Sequence, residues 1–271
     1  MKNGRKKQEQ IHLGAHGEDY GNWMPVSMLW LVGGLAALAA VISLLSFAVF
    51  HITALGVVFV IAALLLLALL LWITWIRRRY AFEGGGMMEQ VHQIVLSHLD
   101  FDGQGQLLDV GCGSGALSIR AALTWRAAQV VGIDYWGSAY GYGQAMCEKN
   151  ARSEGVAARC RFQHGDANKL EFPDESFDAV VSNYVYHNIT GADKRVLLRE
   201  TLRVLKRGGV FAINDNMKPR AYGDMEAFAQ ELRDMGYADV RLIDTAQEAF
   251  GSRRRAAMMM LGDSRMLAGR K

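Results

Sequence analysis

The chain has 271 residues, 51% of them hydrophobic and 21% charged, with 30 Lys plus Arg against 27 Asp plus Glu. That length holds one or two domains, and a net charge of +3 gives no reason to expect a nucleic-acid partner, which usually requires a concentrated basic face. The three cysteines, Cys112, Cys147 and Cys160, have no CxxC or other metal-ligand spacing. They read as free thiols of a reducing compartment, with neither a disulfide framework nor a metal site expected.

Residues 1–27 are polar, with Lys2, Arg5, Lys6 and Lys7 at the start, and read as a flexible cytoplasmic tail. His12 and His16 stand at helical spacing, but without a carboxylate or cysteine partner they do not make a metal site. From Met28 to Phe50, and again from Ala54 to Ile76, the chain is apolar and uncharged. Each run has about the 20 residues that cross a bilayer core, and the break at His51-Ile52-Thr53 is a plausible turn. Residues 28–76 are therefore predicted to form a transmembrane helical hairpin. Trp23 and Trp30 at one end and Trp72 and Trp75 at the other fall at the same interface once the chain turns back. Arg77-Arg78-Arg79 and the N-terminal lysines flank the hairpin, which puts both chain ends in the cytoplasm, on the inner face of a cytoplasmic membrane. A secretory signal fits poorly, because a second full span follows directly.

From Tyr80 onward the composition is that of a soluble domain, with Gly84-Gly85-Gly86 ending the linker. Met87 to Leu99 has the apolar spacing of an amphipathic helix. Leu107 to Val110 is a short apolar strand, followed by Gly111-Cys112-Gly113-Ser114-Gly115 and a helix over Ala116 to Ala128. Glycines between a strand and a helix let the backbone turn sharply and let a ligand approach the helix start. Further strands are predicted at 129–134, 158–163, 178–182, 210–213, 240–245 and 265–270. Helices are predicted within 141–155, at 194–205, stopped by Lys206-Arg207-Gly208-Gly209, at 225–235, and across 247–261. Asn214-Asp215-Asn216 reads as a loop after the fifth strand.

The G-x-G-x-G spacing, preceded by Asp109, differs from the dinucleotide pattern G-x-G-x-x-G and disfavours an NAD-dependent oxidoreductase. It resembles motif I of the class I S-adenosylmethionine-dependent methyltransferases. Asp134 ends the second strand about twenty residues past the loop, where a carboxylate can accept from both ribose hydroxyls. Gly165-Asp166-Ala167 resembles the family segment that meets the adenine, the acid accepting from an exocyclic N–H while the next backbone N–H donates. Asp178 to His187 resembles motif IV, but Asn183 to His187 lacks the Asp/Asn-Pro-Pro-Tyr signature of amino- and base-modifying enzymes. Arg203 to Phe211 resembles the family's post-motif segment. The resemblance covers residues 84–271 and is nearest to the small-molecule, quinone C-methyltransferase-like branch.

What the resemblance implies is a doubly wound, Rossmann-like α/β domain with a mostly parallel seven-stranded sheet and an antiparallel last strand. S-adenosyl-L-methionine is the implied cofactor, with Asp109, Gly111, Cys112, Gly113, Gly115, Asp134, Tyr135, Asp166, Ala167 and Asn183 as binding residues. His187 is the candidate base. Tyr184 and Tyr186 are candidates to shape an acceptor pocket, one of them facing the core instead, and Asp215 is a candidate to orient the acceptor or else a plain loop acid. The expected activity is methyl transfer by direct displacement to a small, hydrophobic or lipid acceptor. The alternative is a cofactor-binding regulator that has lost catalysis.

Overall fold

The computed structural model describes residues 17–81, 86–137 and 141–271. The N-terminal lysines, His12, His16, Gly84 and Gly85 lie outside the described residues. Two compact units are present: Gly21–Met87, and the segment up to Tyr20 together with Met88–Lys271.

The first unit is a pair of helices, α1 (Val26–Ala48) and α2 (Thr53–Tyr80), of 23 and 28 residues, both long and apolar enough to cross a membrane. They run antiparallel through small residues. A side chain on Gly33 would meet Leu70, Gly56 lies against the Phe47 ring, and Ser43 Oγ donates to the Gly56 carbonyl at 2.9 Å. Small residues let helix backbones approach, and a hydroxyl can bond a carbonyl across such an interface. The turn passes through His51 in the left-handed region (φ 53°). Outward-facing leucines remain uncovered, Leu44 at 65% and Leu65 at 67% exposure. Arg77, Arg78 and Arg79 occupy the last turn of α2, where cations suit the helix dipole.

The second unit runs α3 (Met87–Ser97), β1 (Gln106–Val110), α4 (Ala116–Thr124), β2 (Gln129–Asp134), α5 (Gln144–Ser153), β3 (Cys160–His164), β4 (Phe177–Asn183), a 3-10 turn (Tyr186–Asn188), α6 (Lys194–Arg203), β5 (Leu205–Asn216), α7 (Pro219–Tyr222), α8 (Met225–Asp234), β6 (Ala238–Ile243), α9 (Thr245–Phe250), α10 (Arg253–Met258) and β7 (Ser264–Arg270). The seven strands are ordered β3-β2-β1-β4-β5-β7-β6, all parallel except β7, which is antiparallel to both neighbours. The sequence builds in opposite directions from β1, so the order reverses between β1 and β4. A crevice forms outside the carboxyl ends of the strands at such a point. The central strands are near-continuous apolar runs, with Leu107, Leu108, Val180, Val181, Phe211 and Ile213 buried, as a sheet covered on both faces demands. Asp193, Asp224 and Asp244 cap α6, α8 and α9 by accepting from backbone N–H groups.

Several boundaries differ from the sequence expectations. α4 stops at Thr124, because Trp125 is extended. Lys206 to Gly209 does not terminate α6 but belongs to β5. The carbonyls of Leu202 and Arg203 at the helix end are satisfied instead by Lys271 Nζ, while Gly208 N–H donates to the Lys271 carbonyl. Asn214 to Asn216 is not a loop: it continues β5 and pairs with β7. The sixth strand ends at Ile243, and Thr245 opens α9. The helix expected across 247–261 is broken in two at Gly251 (φ 70°). Part of the expected tail, Gly17 to Tyr20, lies against the α/β domain. Tyr20 is buried and donates to Glu154 at 3.1 Å.

Candidate active site

The glycine loop leaves β1 with Gly111, Gly113 and Gly115 all at positive φ (75°, 56° and 83°), a conformation that L side chains adopt only at a cost. The three differ in what surrounds them. A Cβ on Gly111 would come within 2.2 Å of Val185, so the segment after β4 packs directly on the loop. A Cβ on Gly115 would press Cys147 and Phe162 at 3.2 Å, whereas one on Gly113 would meet only Tyr142, at 3.5 Å. Among the described residues, Gly113 is thus the loop glycine with the most space at its Cβ position.

Asp134, at the end of β2, holds the loop from the side. Its Oδ2 accepts from Gly113 N–H at 2.9 Å and its Oδ1 from Trp136 N–H at 2.7 Å. Trp136 returns the contact, its indole N–H donating to the Gly113 carbonyl at 2.8 Å from a strained left-handed backbone (φ 46°). Cys147 Sγ bonds the same carbonyl at 3.2 Å. Each Asp134 oxygen keeps a second lone pair, the capacity a ribose diol needs. Tyr135 is 66% exposed and lies against His164 with ring centroids 5.1 Å apart. Asp166 is exposed at the next strand end. Its Oδ1 accepts from the Asn168 backbone and side chain, and Ala167 beside it is buried.

Asp109 and Cys112 lie under the loop. Asp109 is fully buried and accepts from Ser118 Oγ at 2.6 Å. Burial pushes its carboxyl up to about 7, helped by the nearby Asp134 charge and opposed by the Ser118 bond. Burial also raises the Cys112 thiol, which keeps it a thiol rather than a nucleophile. Asn150, unremarked in the sequence beyond its helix, proves central: its buried amide donates to the Ser114 carbonyl at 3.2 Å and to the Asp19 carbonyl at 2.8 Å. Nothing in the local pattern marks it, since its partners are backbone atoms brought by the fold.

On the other side of the crevice the 3-10 turn after β4 presents His187. Its Nδ1 lies 2.5 Å from Asp215 Oδ1, and its backbone N–H donates to Asp215 Oδ2 at 3.2 Å. Asp215 is completely buried at the end of β5, while the His187 side chain is 33% exposed. The reading of Asp215 as a loop acid is therefore corrected: the extension of β5 carries it inside the fold. With a carboxylate on Nδ1, the imidazole carries its proton there and leaves Nε2 as the open acceptor. Tyr222 is buried nearby, and its phenol is raised far above its ordinary value by burial and by the Asp215 carboxylate.

Tyr184 is left-handed (φ 57°), with its hydroxyl 2.7 Å from Ser264 and its ring edge-on to His187, centroids 6.3 Å apart. Burial pushes its phenol up to about 12. The hydroxyl joins a buried chain through Ser264, Thr245, Asn214 and Asn183, which ties β4, β5 and β7 together at this edge. Of the tyrosine pair, Tyr186 is the one facing the core, fully buried and 2.7 Å from Thr201. Strained residues held by a dense network are common at functional sites.

Residues 108–213 match the family described as a methyltransferase domain. The chain is 32% identical over 141 residues to the 27-O-demethylrifamycin SV methyltransferase of Amycolatopsis mediterranei, covering 51% of this chain and 48% of that protein. It is 31% identical over 134 residues to the ubiquinone/menaquinone biosynthesis C-methyltransferase UbiE of Desulfotalea psychrophila, covering 49% and 50%. The chain thus spans about half the length of these relatives. Among solved structures, the [4+2]-cyclase SpnF is similar with a TM-score of 0.54 and 22% identity, over 72% of this chain and 84% of that one. That likeness is one of fold, and a fold does not fix a reaction. Taken with the glycine loop, the strand-end acids and the 3-2-1-4-5-7-6 sheet, the match shows that residues 108–213 are similar to a methyltransferase domain, of the kind that the class I S-adenosylmethionine-dependent methyltransferases carry.

Proposed function

We propose that the chain is a membrane-held methyltransferase that methylates a small hydrophobic or lipid acceptor from which His187 removes a proton. The single observation that carries the reading is the His187–Asp215 pair at the same strand-end edge as the glycine loop and Asp134. S-adenosylmethionine, when bound there, supplies a methyl carbon activated by a sulfonium leaving group. Asp134 would take the ribose hydroxyls and Asp166 with the backbone of Ala167 the adenine, while the missing side chain at Gly113 leaves room for close approach. Asn183 would border the methionine end.

His187 Nε2 receives the acceptor's proton, and the buried Asp215 carboxylate fixes the ring and stabilises the imidazolium. Positioned general bases contribute about 10²–10⁴-fold, and alignment of acceptor and methyl carbon supplies much of the rest. Tyr184 holds the backbone that presents His187 and, through its ring, borders the acceptor. A base is useful to a hydroxyl, carboxylic or acidic C–H acceptor and superfluous to a free amine or thioether.

Membrane attachment is supported by α1 and α2, by their uncovered leucines and by Arg77 to Arg79 at the end of α2. A hairpin with that basic flank puts both chain ends on the cytoplasmic side. Anchoring raises the local concentration of acceptors dissolved in the bilayer. One relative is named as a C-methyltransferase of ubiquinone and menaquinone biosynthesis.

The test is to incubate the full chain with methyl-labelled S-adenosylmethionine and a membrane extract, following S-adenosylhomocysteine and the labelled product. Turnover onto a lipid-soluble acceptor is expected. Tight cofactor binding with no S-adenosylhomocysteine over lipid and metabolite pools would instead establish the catalytically silent regulator.

A further inference from the structure

The connection between β6 and β7 places α10 at the strand-end edge that bears His187 and Asp215. Two hydrogen bonds fix the neighbourhood: Asn216 Nδ2 donates to the Met260 carbonyl at 3.1 Å, and Met217 N–H donates to the Asp263 carbonyl at 2.9 Å. The loop after β5 therefore lies beside the end of α10. Exposed Lys218 and Arg220 follow one side of this contact and exposed Arg254 and Arg255, in the first turn of α10, precede the other; none of the four has an ion-pair partner among the described residues. Arg253 is different, since it pairs with Asp244 at 2.5 Å. Asp263, Asp224 and Glu226, the latter two just past α7, are the exposed acids of the same segments, fewer than the four cations. Two large apolar side chains stand out among these cations, Met258 at 55% and Met260 at 49% exposure. Met260 is held there by a left-handed backbone (φ 65°).

We propose that this face, with Lys218, Arg220, Arg254 and Arg255 around Met258 and Met260, docks the acceptor edge of the α/β domain onto an anionic lipid surface. The proposal rests on the membrane attachment argued above and adds a second, reversible contact. Cations interleaved with flexible apolar side chains fit the headgroup boundary, where the charges meet lipid phosphates and the thioethers reach the acyl region. Each cation near an anionic leaflet strengthens partitioning about fivefold. The α/β domain shares one chain with the two apolar helices, so a weak contact suffices at the high effective concentration that attachment gives. A nucleic acid would use the cations but has no use for the methionines, and the whole chain carries a net charge of only +3. The consequence is that a lipid-dissolved acceptor reaches His187 without crossing water.

The test uses the full chain reconstituted in phosphatidylcholine vesicles with or without phosphatidylglycerol, read by hydrogen exchange of peptides covering 216–223 and 251–262. Exchange should be at least about fivefold slower with phosphatidylglycerol, return to the neutral-vesicle rate in high salt, and be unprotected in Arg254→Glu/Arg255→Glu. Peptides from β4 and β5 report whether that variant is folded, and the salt arm needs no variant. Equal exchange in the two vesicle types overturns the proposal, as does protection that survives charge reversal or appears only with an added oligonucleotide. Failure of the hairpin reading is a separate result: the chain would be stripped from both vesicle types by alkaline carbonate, while protection by phosphatidylglycerol could still be scored.

Discussion

Nδ1 of His187 lies 2.5 Å from Oδ1 of Asp215, joining a part-exposed ring after β4 to a wholly buried carboxylate on β5. This pairing separates the chemistry from the cofactor loop, so the two can be perturbed independently. His187→Ala should lower turnover by about 10²-fold or more while cofactor affinity, measured by calorimetry, changes less than about twofold. Asp215→Asn should lose most of the same factor, because the amide can no longer hold the proton-bearing Nδ1. Unchanged turnover in both variants would remove the base.

Asp134 accepts from the backbone of both Gly113 and Trp136. Asp134→Ala therefore loosens the loop and, on the proposed function, removes the ribose contact. The expected weakening of S-adenosylmethionine binding is about 1.5–3 kcal/mol, one charge-assisted bond, or roughly 10–100-fold in Kd. A titration showing no change would place the ribose elsewhere.

Gly111 and Gly113 should respond differently to alanine. At Gly111 the new Cβ meets Val185 at 2.2 Å and the backbone is left-handed, so folding stability should fall by about 2 kcal/mol or more. At Gly113 the nearest protein atom is 3.5 Å away, so stability should fall by only about 1 kcal/mol, with the larger loss in cofactor affinity. Thermal unfolding with and without S-adenosylmethionine separates the two. Adding Val185→Ala should restore part of the Gly111→Ala loss.

Asp109 makes stability depend on pH in an unusual direction. Its carboxyl titrates near 7 when folded, against an ordinary value of 3.8, so between those values the folded state binds the extra proton. Its contribution is fully present below about pH 4 and is lost as pH rises through 7. Denaturant unfolding in detergent at pH 5.5 and 8.5 should show a smaller drop for Asp109→Asn than for the parent chain. An identical drop would mean that Asp109 does not titrate between those two pH values.

Much of this protein is written locally. The two apolar helices are legible because each uncharged run is long and is broken only at His51-Ile52-Thr53. The glycine loop and the acid beside it are legible because positive φ favours glycine and a carboxylate ends the second strand, so Gly111, Gly113, Gly115 and Asp134 stand out by type and spacing, and their cofactor role belongs to the proposed function. The tertiary structure decided what depends on partners far along the chain. Asp215 looks like a loop acid until β7 pairs with β5 and carries it inside. The glycines after α6 look like a stop until Lys271 supplies the missing donors. Asn150 and Ser118 gain their importance only from the atoms that packing sets beside them. Local sequence determines backbone conformation and burial pattern, whereas a hydrogen bond across 28 residues, as between His187 and Asp215, exists only once the sheet has closed.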